Sequence, residues 1–367
     1  MTRSIDEFRN SATRVFGVGE PTHQEPEFGA VRNKLFGELA GDGFGSITLE
    51  TDRVRAMAVD DYVRYGVGTL DTALSTGFSH GLGELEPNRQ LVAWMHDHNQ
   101  DRPEDARLAF HGFDTPTEMM SAPSPLAYLE HVRDYLGVEL DLASAAGADD
   151  RWSRTEAILD PAASPGMTAD AQVLRAYADD LHVQLLARAP ELVAVTSRTA
   201  WTRARTNLTA AVGLLRYHRQ SAEQLDQATR TSRMLGVRDA LMAENLLDIS
   251  TAAPTLLFAH NRHLQRNPST WRLAEMELSW SCAGSIVSAL LGPGYTFIAG
   301  SLGASGALGL AEPPAGTYES MLRPGLVRAD EVTAGTTRTD LTPEQGYFPL
   351  DQATVAGADA VLHLSTP

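Results

Sequence analysis

The chain of 367 residues contains one cysteine, Cys282, and one lysine, Lys34. A single thiol excludes an intramolecular disulfide framework and any cysteine-rich metal site. A single lysine confines Schiff-base chemistry to Lys34 itself. Long apolar runs are also missing. The longest, from Cys282 to Leu291, falls short of the roughly 20 residues that cross a bilayer, so no membrane association is expected. Met1 to Asn10 lacks the apolar core of a signal peptide, and cytoplasmic residence is the default expectation. Basic charge is scarce: 30 Lys and Arg face 47 Asp and Glu, a net charge of -17. That balance, without any dense Lys/Arg cluster, argues against nucleic acid as a partner. What is present is an ordinary globular composition, 43 % hydrophobic with a mean hydropathy of -0.20. The length exceeds a typical domain of about 100 to 200 residues, implying one large domain with an insertion, or two domains.

Four apolar runs each finish on a titratable side chain. Val15 to Gly19 delivers Glu20 and then His23, Ser46 to Leu49 ends on Glu50, Leu108 to Phe113 on Asp114, and Thr255 to Ala259 on His260. Parallel strands whose C-terminal ends open into one polar pocket produce this pattern. Helical spacing follows two of the runs, at Phe28, Val31, Leu35 and Leu39 up to the stop at Gly41, and again from Asp52 through Val63. Such strand-helix alternation predicts an α/β fold with a central, mostly parallel sheet flanked by helices.

Between about Pro123 and Ser250 the character changes. β-branched runs vanish and long helical patterns span Met167 to Arg188, Trp201 to Arg219 and Arg230 to Leu247. Residues 123–250 therefore read as a large helical insertion or lid, with 1–122 and 251–367 forming the α/β core and its pocket. Asp141 to Pro165, rich in Ala, Asp, Ser and Pro, reads as a surface connection. Gly300 to Gly309 lacks the Gly-Lys-Ser/Thr ending of a phosphate loop and reads as a flexible loop near the pocket.

Glu20 and His23 form the sharpest chemical pair. A carboxylate on one imidazole nitrogen fixes the tautomer and raises the basicity of the other, the arrangement of a general base. The competing reading is a helix cap, with Thr22 or Glu20 closing the helix that starts near Pro26. Glu27, on the first turn, is placed to face the same pocket, and Arg32 is suited to a carboxylate or a polarised carbonyl, or is merely a surface charge. His260 and His263 could flank a substrate. Metal ligation by His23, Glu27, Glu50, His260 and His263 is considered, but no metal-binding spacing is present and no metal or other cofactor is called for. Arg238, Asp239, Glu244 and Asn245 put polar groups on an otherwise apolar helix, favouring a role in the pocket. Gly77-Phe78-Ser79-His80-Gly81 matches a nucleophile elbow by letter only, because the stretch before it reads as helix or loop rather than strand.

Taken together, Gly19-Glu20-Pro21-Thr22-His23, Glu27-Phe28, Arg32, Gly43-Phe44, Glu50, Trp94-Met95 with Asn99, Gly112-Phe113-Asp114, Arg238-Asp239 with Met242 to Asn245, and Ala259 to His263 resemble the erythromycin esterase family. The resemblance implies an α/β core with helical additions and metal-independent opening of a macrolactone. It implies His23 as the general base beside Glu20, and Arg32, Glu50, His260 and His263 in the pocket. Arg32 or a protonated histidine would then stabilise the oxyanion, while Glu50 and Glu244 position or shuttle protons; Glu27, His263, Arg238 and Asp114 complete the substrate-binding set. The expected partner is a small molecule: a macrolide, polyketide or other lactone or ester. Gln24 stands where many members have glycine. Two other outcomes fit the same residues: cyclisation, dehydration or isomerisation in natural-product assembly, and a non-catalytic small-molecule binding protein.

Overall fold

A computed structural model describes residues 4–118 and 120–366. Its main sheet comprises β1 (Val15–Glu20), β2 (Ser46–Asp52), β3 (Ala109–Asp114), β4 (Thr255–His260), β7 (Tyr295–Ser305), β8 (Gly325–Arg328) and β9 (Ala360–Thr366), while β5 (Ser269–Leu273) and β6 (Met276–Trp280) form a separate hairpin. The order across the main sheet is β3-β2-β4-β1-β7-β9-β8. Every pairing is parallel except that of the edge strand β8 with β9. The mostly parallel sheet flanked by helices agrees with the sequence expectation.

The parallel arrangement follows from what joins the strands. Helix α1 (Pro26–Gly41) returns the chain from β1 to β2, and α2 (Ala56–Tyr65), α3 (Leu70–Gly77) and α4 (Glu86–Asn99) lie between β2 and β3. Helices on both faces bury every residue of β1, β2, β4 and β7, so β1 and β4 read as apolar runs and even Ser46, Thr48 and Thr51 of β2 lie inside. Phe16, Val18, Leu256 and Phe258 pack into one layer with Phe28 and Phe36, while Val15, Leu257 and Ala259 pack into the other.

Between β3 and β4 the described chain is helical, including α5 (Leu126–Leu136), α6 (Ala169–Ala187), α7 (Arg198–Ser221) and α8 (Gln227–Ile249). Leu129, Val132, Trp152, Leu174, Leu181 and Leu208 give this block a core of its own. Helix α8 links it to the sheet, because Met242, Ala243, Leu246 and Ile249 belong to the sheet's layer. Two sequence expectations need correction. The stretch from Asp141 to Pro165 is not a mere surface connection: it folds into short helices, buries Trp152, and directs its indole N–H to the Ala146 carbonyl at 2.8 Å. Nor is Gly300 the start of a flexible loop, since β7 runs on, fully buried, to Ser305.

The glycines are there for close approach. Pairing of β1 with β7 stops at Val18 and Ile298, and the Asn261 side chain enters beyond it, accepting from the Gly300 N–H (2.9 Å) and donating to the Gly300 carbonyl (2.8 Å). A Cβ on Gly19 would overlap the Asn261 amide, and one on Gly300 would overlap the Gly19 carbonyl. By contrast, β1 stays paired with β4 to the last position, Glu20 opposite His260. The sheet thus delivers Glu20 and His260 side by side.

Candidate active site

The four strands with titratable ends, β3-β2-β4-β1, are consecutive neighbours, and their C-terminal edge gathers Asp114, Glu50, His260 and Glu20. From the turn after β1, His23 places Nδ1 2.7 Å from Glu20 Oε1 and Nε2 3.8 Å from Glu50 Oε1. Behind it His263, on the short helix α9 (Asn261–Leu264), lies between two carboxylates: Nε2 is 3.3 Å from Glu50 Oε1 and Nδ1 is 2.8 Å from Asp239 Oδ1. Arg238, the preceding residue on α8, grips Asp114 through Nε at 3.0 Å and Nη2 at 2.5 Å, with Nη2 also 3.6 Å from Glu50.

His23, His260 and His263 are in different states. His260 directs Nε2 at the Pro21 carbonyl (3.2 Å) and accepts the Arg262 N–H on Nδ1 (3.2 Å), so both nitrogens are committed and the neutral Nε2–H form fits. Burial, reinforced by the charge of His23, holds its pKa well below the usual imidazole value. His263 is also buried, but Asp239 and Glu50 overcome that penalty and hold it well above the usual value. His23 keeps 39 % of its side chain exposed. Desolvation opposes its charge, yet Glu50 and Glu20 outweigh it and raise its pKa to about 9. Glu50 is held well below the usual carboxylate range: burial works against its charge, and His263, His23 and Arg238 win. Asp114 falls to about 2, its burial likewise outweighed, chiefly by Arg238. Glu20 is pushed upward by burial despite its bond to His23.

A cavity of about 60 Å³ lies against this cluster, lined in part by Glu20, His23, Glu25, Arg32, Glu50 and Phe258. Arg32 is 3 % exposed and meets neutral acceptors, Asn88 Oδ1 at 2.8 Å and Asn33 Oδ1 at 2.7 Å, while its guanidinium sits 5.0 Å from the Phe258 ring. Burial lowers its pKa to about 10. It is a buried cation facing the cavity with no carboxylate among its hydrogen-bond partners, poised for an anion or a charge that develops during reaction. A separate cleft of about 710 Å³, which shares no lining residue with that cavity, is lined by Arg55, Leu74, Phe78, His80 and Glu118 among others.

Of the residues singled out from sequence, Glu20, His23, Glu50, His260, His263, Arg238 and Asp114 converge here, with Arg32 in the cavity wall. Two do not. Glu27 is on the exposed side of the first turn of α1, and Glu25 occupies the inward position, capping that helix and accepting from Ser305 Oγ (2.6 Å) and Thr366 Oγ1 (2.9 Å). Glu244 is 52 % exposed and pairs with Arg216 on another face of α8. Sequence reasoning assigned no role to His80, whose Nε2 is 3.1 Å from Asp114 and Nδ1 2.7 Å from Glu118. Its one signal was the elbow-like motif, yet α3 rather than a strand precedes it and Ser79 is tied to Thr51 and the Asp52 N–H. Trp280, which the sequence did not single out, donates to Asp239, the carboxylate that holds His263. Among the described residues no three His, Cys, Asp or Glu side chains are grouped to hold a metal ion, and no helix is long and apolar enough to cross a membrane.

With this geometry in place, the comparisons are specific. The erythromycin esterase family profile matches residues 40–360. The chain belongs to the erythromycin esterase family. Membership supports an enzyme of the hydrolase kind. The matched span begins beyond Glu20, His23 and Arg32, so those three rest on their geometry. No curated protein matches the chain. Among solved structures, an erythromycin esterase mutant in its open conformation superposes with a TM-score of 0.65 at 19 % identity, covering 96 % of this chain and 90 % of that one. A Bacillus cereus protein gives 0.64 at 15 % identity, covering 100 % and 92 %. A succinoglycan biosynthesis protein gives 0.64 at 14 % identity, covering 97 % and 88 %. At these identities the three establish a shared fold.

Proposed function

We propose that this family member hydrolyses an ester or lactone, with His23 as the base that activates water and Glu20 as the carboxylate that orients it. The observation that carries this reading is the difference among the three histidines. Both nitrogens of His260 are committed and His263 is clamped between carboxylates, whereas His23 is partly exposed and leaves Nε2 beyond direct hydrogen-bond distance of Glu50. Glu20 takes the Nδ1–H, and Nε2 is then free to accept a proton from water.

The water oxygen attacks the carbonyl carbon as His23 takes its proton. The resulting oxyanion meets Arg32, whose buried charge is fixed before reaction and gains from a negative partner. Collapse breaks the acyl C–O bond, and the imidazolium returns its proton to the departing alkoxide. A pKa near 9 leaves only a minor fraction of His23 unprotonated at pH 7, so hydrolysis accelerates as pH rises toward 9. The cavity of about 60 Å³ is small beside the roughly 300 to 1,000 Å³ of drug-sized sites, so it suits the reacting ester group, with the body of a larger substrate lying outside it.

The test is mass spectrometry of a macrolide lactone and a panel of simple esters, incubated with chelator-treated protein and with His23→Gln. A gain of one water that requires His23 supports the proposal. Loss of water, or altered retention at constant mass, replaces it with cyclisation, dehydration or isomerisation. Ligand-induced stabilisation without any turnover leaves a binding protein.

A further inference from the structure

Asp239 is fully buried, and three donors converge on its two oxygens. The Trp280 indole N–H reaches Oδ2 at 2.6 Å, and Oδ1 receives the Ala283 backbone N–H at 2.9 Å and stands 2.8 Å from His263 Nδ1. Ala283 is the first residue of helix α10 (Ala283–Leu291), whose N-terminal end favours a negative charge at this point. A carboxylate already holding two N–H donors is an acceptor toward His263, so Nδ1 must carry a proton. That sets the ring's other edge. Nε2 faces Glu50, whose second oxygen accepts the His260 backbone N–H at 2.9 Å, and a bare nitrogen would there meet a carboxylate. His263 is therefore held as a two-sided donor.

The connection runs through Trp280, Asp239, His263 and Glu50 by contacts of 2.6, 2.8 and 3.3 Å, and then across 3.8 Å to His23, which is bonded to Glu20. The titratable groups around His263 are Asp239 from α8, Glu50 from β2, His23 from the turn after β1 and His260 at the end of β4, with Arg238 of α8 against Glu50. We infer that Asp239 and Trp280 are positioning residues that keep the His263 Nδ1 proton in place and fix the orientation of its ring, and through it the place of the Glu50 carboxylate beside His23. Neither residue lines the cavity. Trp280 ends the β5–β6 hairpin, which lies outside the main sheet, so this hairpin is an anchor for the site rather than an ornament. The kinetic consequence rests on His23 acting as the base; the hydrogen-bond assignment does not.

The experiment uses the full chain with ¹⁵N-labelled histidine, His263→Gln identifying the His263 ring signals. Wild-type protein is expected to show a downfield Nδ1–H proton protected from solvent exchange. Trp280→Phe keeps an aromatic ring and removes the donor. Its His263 proton should exchange about tenfold faster, and kcat on whichever ester the wild type hydrolyses should fall about tenfold with KM unchanged, the lower end of what removing the outer partner of a metal-bound histidine costs. Leu278→Ala loosens the same hairpin cluster without touching Asp239 and should lower Tm while leaving both readouts alone. An unchanged His263 proton in Trp280→Phe, or an equal loss in Leu278→Ala, overturns the inference. A shifted proton in a protein that hydrolyses nothing supports the positioning role and removes the reaction instead.

Discussion

Two histidines on opposite halves of the sheet's C-terminal edge, His23 and His363, are held in opposite ways. On the β3-β2-β4-β1 side, His23 is flanked by Glu20 and Glu50 and its pKa rises to about 9. On the β7-β9 side, His363 meets only the Ser301 hydroxyl at 2.9 Å, and burial drives its pKa down to about 4. Desolvation disfavours the charged ring in both places. A carboxylate about 4 Å away contributes roughly 4 kcal/mol at an effective dielectric of 20, enough to reverse the sign, while a neutral hydroxyl contributes no such term. The first half gathers several charges around its histidines, whereas His363 has a neutral partner and the carboxylates of the second half include Glu25 with Ser305 and Thr366 and Glu319 with Tyr347, its buried Arg338, paired with Asp340, lying against the Gly303 carbonyl. Acid-base chemistry is expected only where charge is paired at an accessible ring.

The largest break in this contrast comes from removing the two imidazoles separately. His23→Gln should reduce turnover by about 10² to 10⁴-fold, the usual worth of a general base. His363→Asn should leave it within about twofold while lowering Tm, since it loses only a buried bond to Ser301. Steady-state kinetics on the same substrate decides the matter; equal losses would mean that the two halves are not functionally distinct.

Next in size is the charge pairing itself. Arg238→Met leaves Asp114 and Glu50 short of their shared cation, and breaking a buried pair by removing one partner typically destabilises by about 3 to 5 kcal/mol. Urea unfolding measures this directly. A loss of less than about 1 kcal/mol would show that solvent, not Arg238, carries the burden of compensating Asp114.

A smaller effect should appear in the pH dependence of stability, with opposite signs for the two histidines. His23 has its pKa raised on folding, so its contribution is present below pH 6.5 and is lost as pH rises through about 9. His363 has its pKa depressed, so its contribution is present above 6.5 and is lost as pH falls toward 4. Difference scans of Tm against pH should therefore flatten on the alkaline side in His23→Gln and on the acid side in His363→Asn. Parallel curves in both variants would remove the contrast.

Much of this architecture was legible because a buried parallel strand has a one-dimensional signature, an apolar run with a polar end. Four such runs named Glu20, Glu50, Asp114 and His260. The continuation of β7 was not legible, because Gly300 and Gly303 have a loop's composition for a packing reason: a side chain at Gly300 would collide with the Gly19 carbonyl. Asp239 and Trp280 lie 41 positions apart and meet only through the crossing of α8 and the hairpin, which no local pattern encodes. Glu25 and Glu27 differ by two positions at a helix start, where Pro26 fixes the phase only once the cap is known. Belonging to the family speaks for residues 40–360, while His23, the proposed base, lies before them.

The smallest expected effect is also the most pointed for sequence reasoning. Glu244 lies in the same Arg238 to Asn245 stretch as the residues that do converge, and its motif position made it a candidate proton carrier. A helix, however, turns about 100° per residue, so a stretch shared in sequence is split between faces. Arg238 and Asp239 point to the charged cluster, and Asn245 donates to the Phe113 carbonyl at 3.0 Å, whereas Glu244 faces solvent beside Arg216. Glu244→Ala should therefore change stability by no more than about 0.5 kcal/mol, the ordinary range for a surface substitution, and leave kcat and KM at wild-type values. A drop in kcat beyond about tenfold would require Glu244 to reach the cluster in a conformation that α8 does not adopt here.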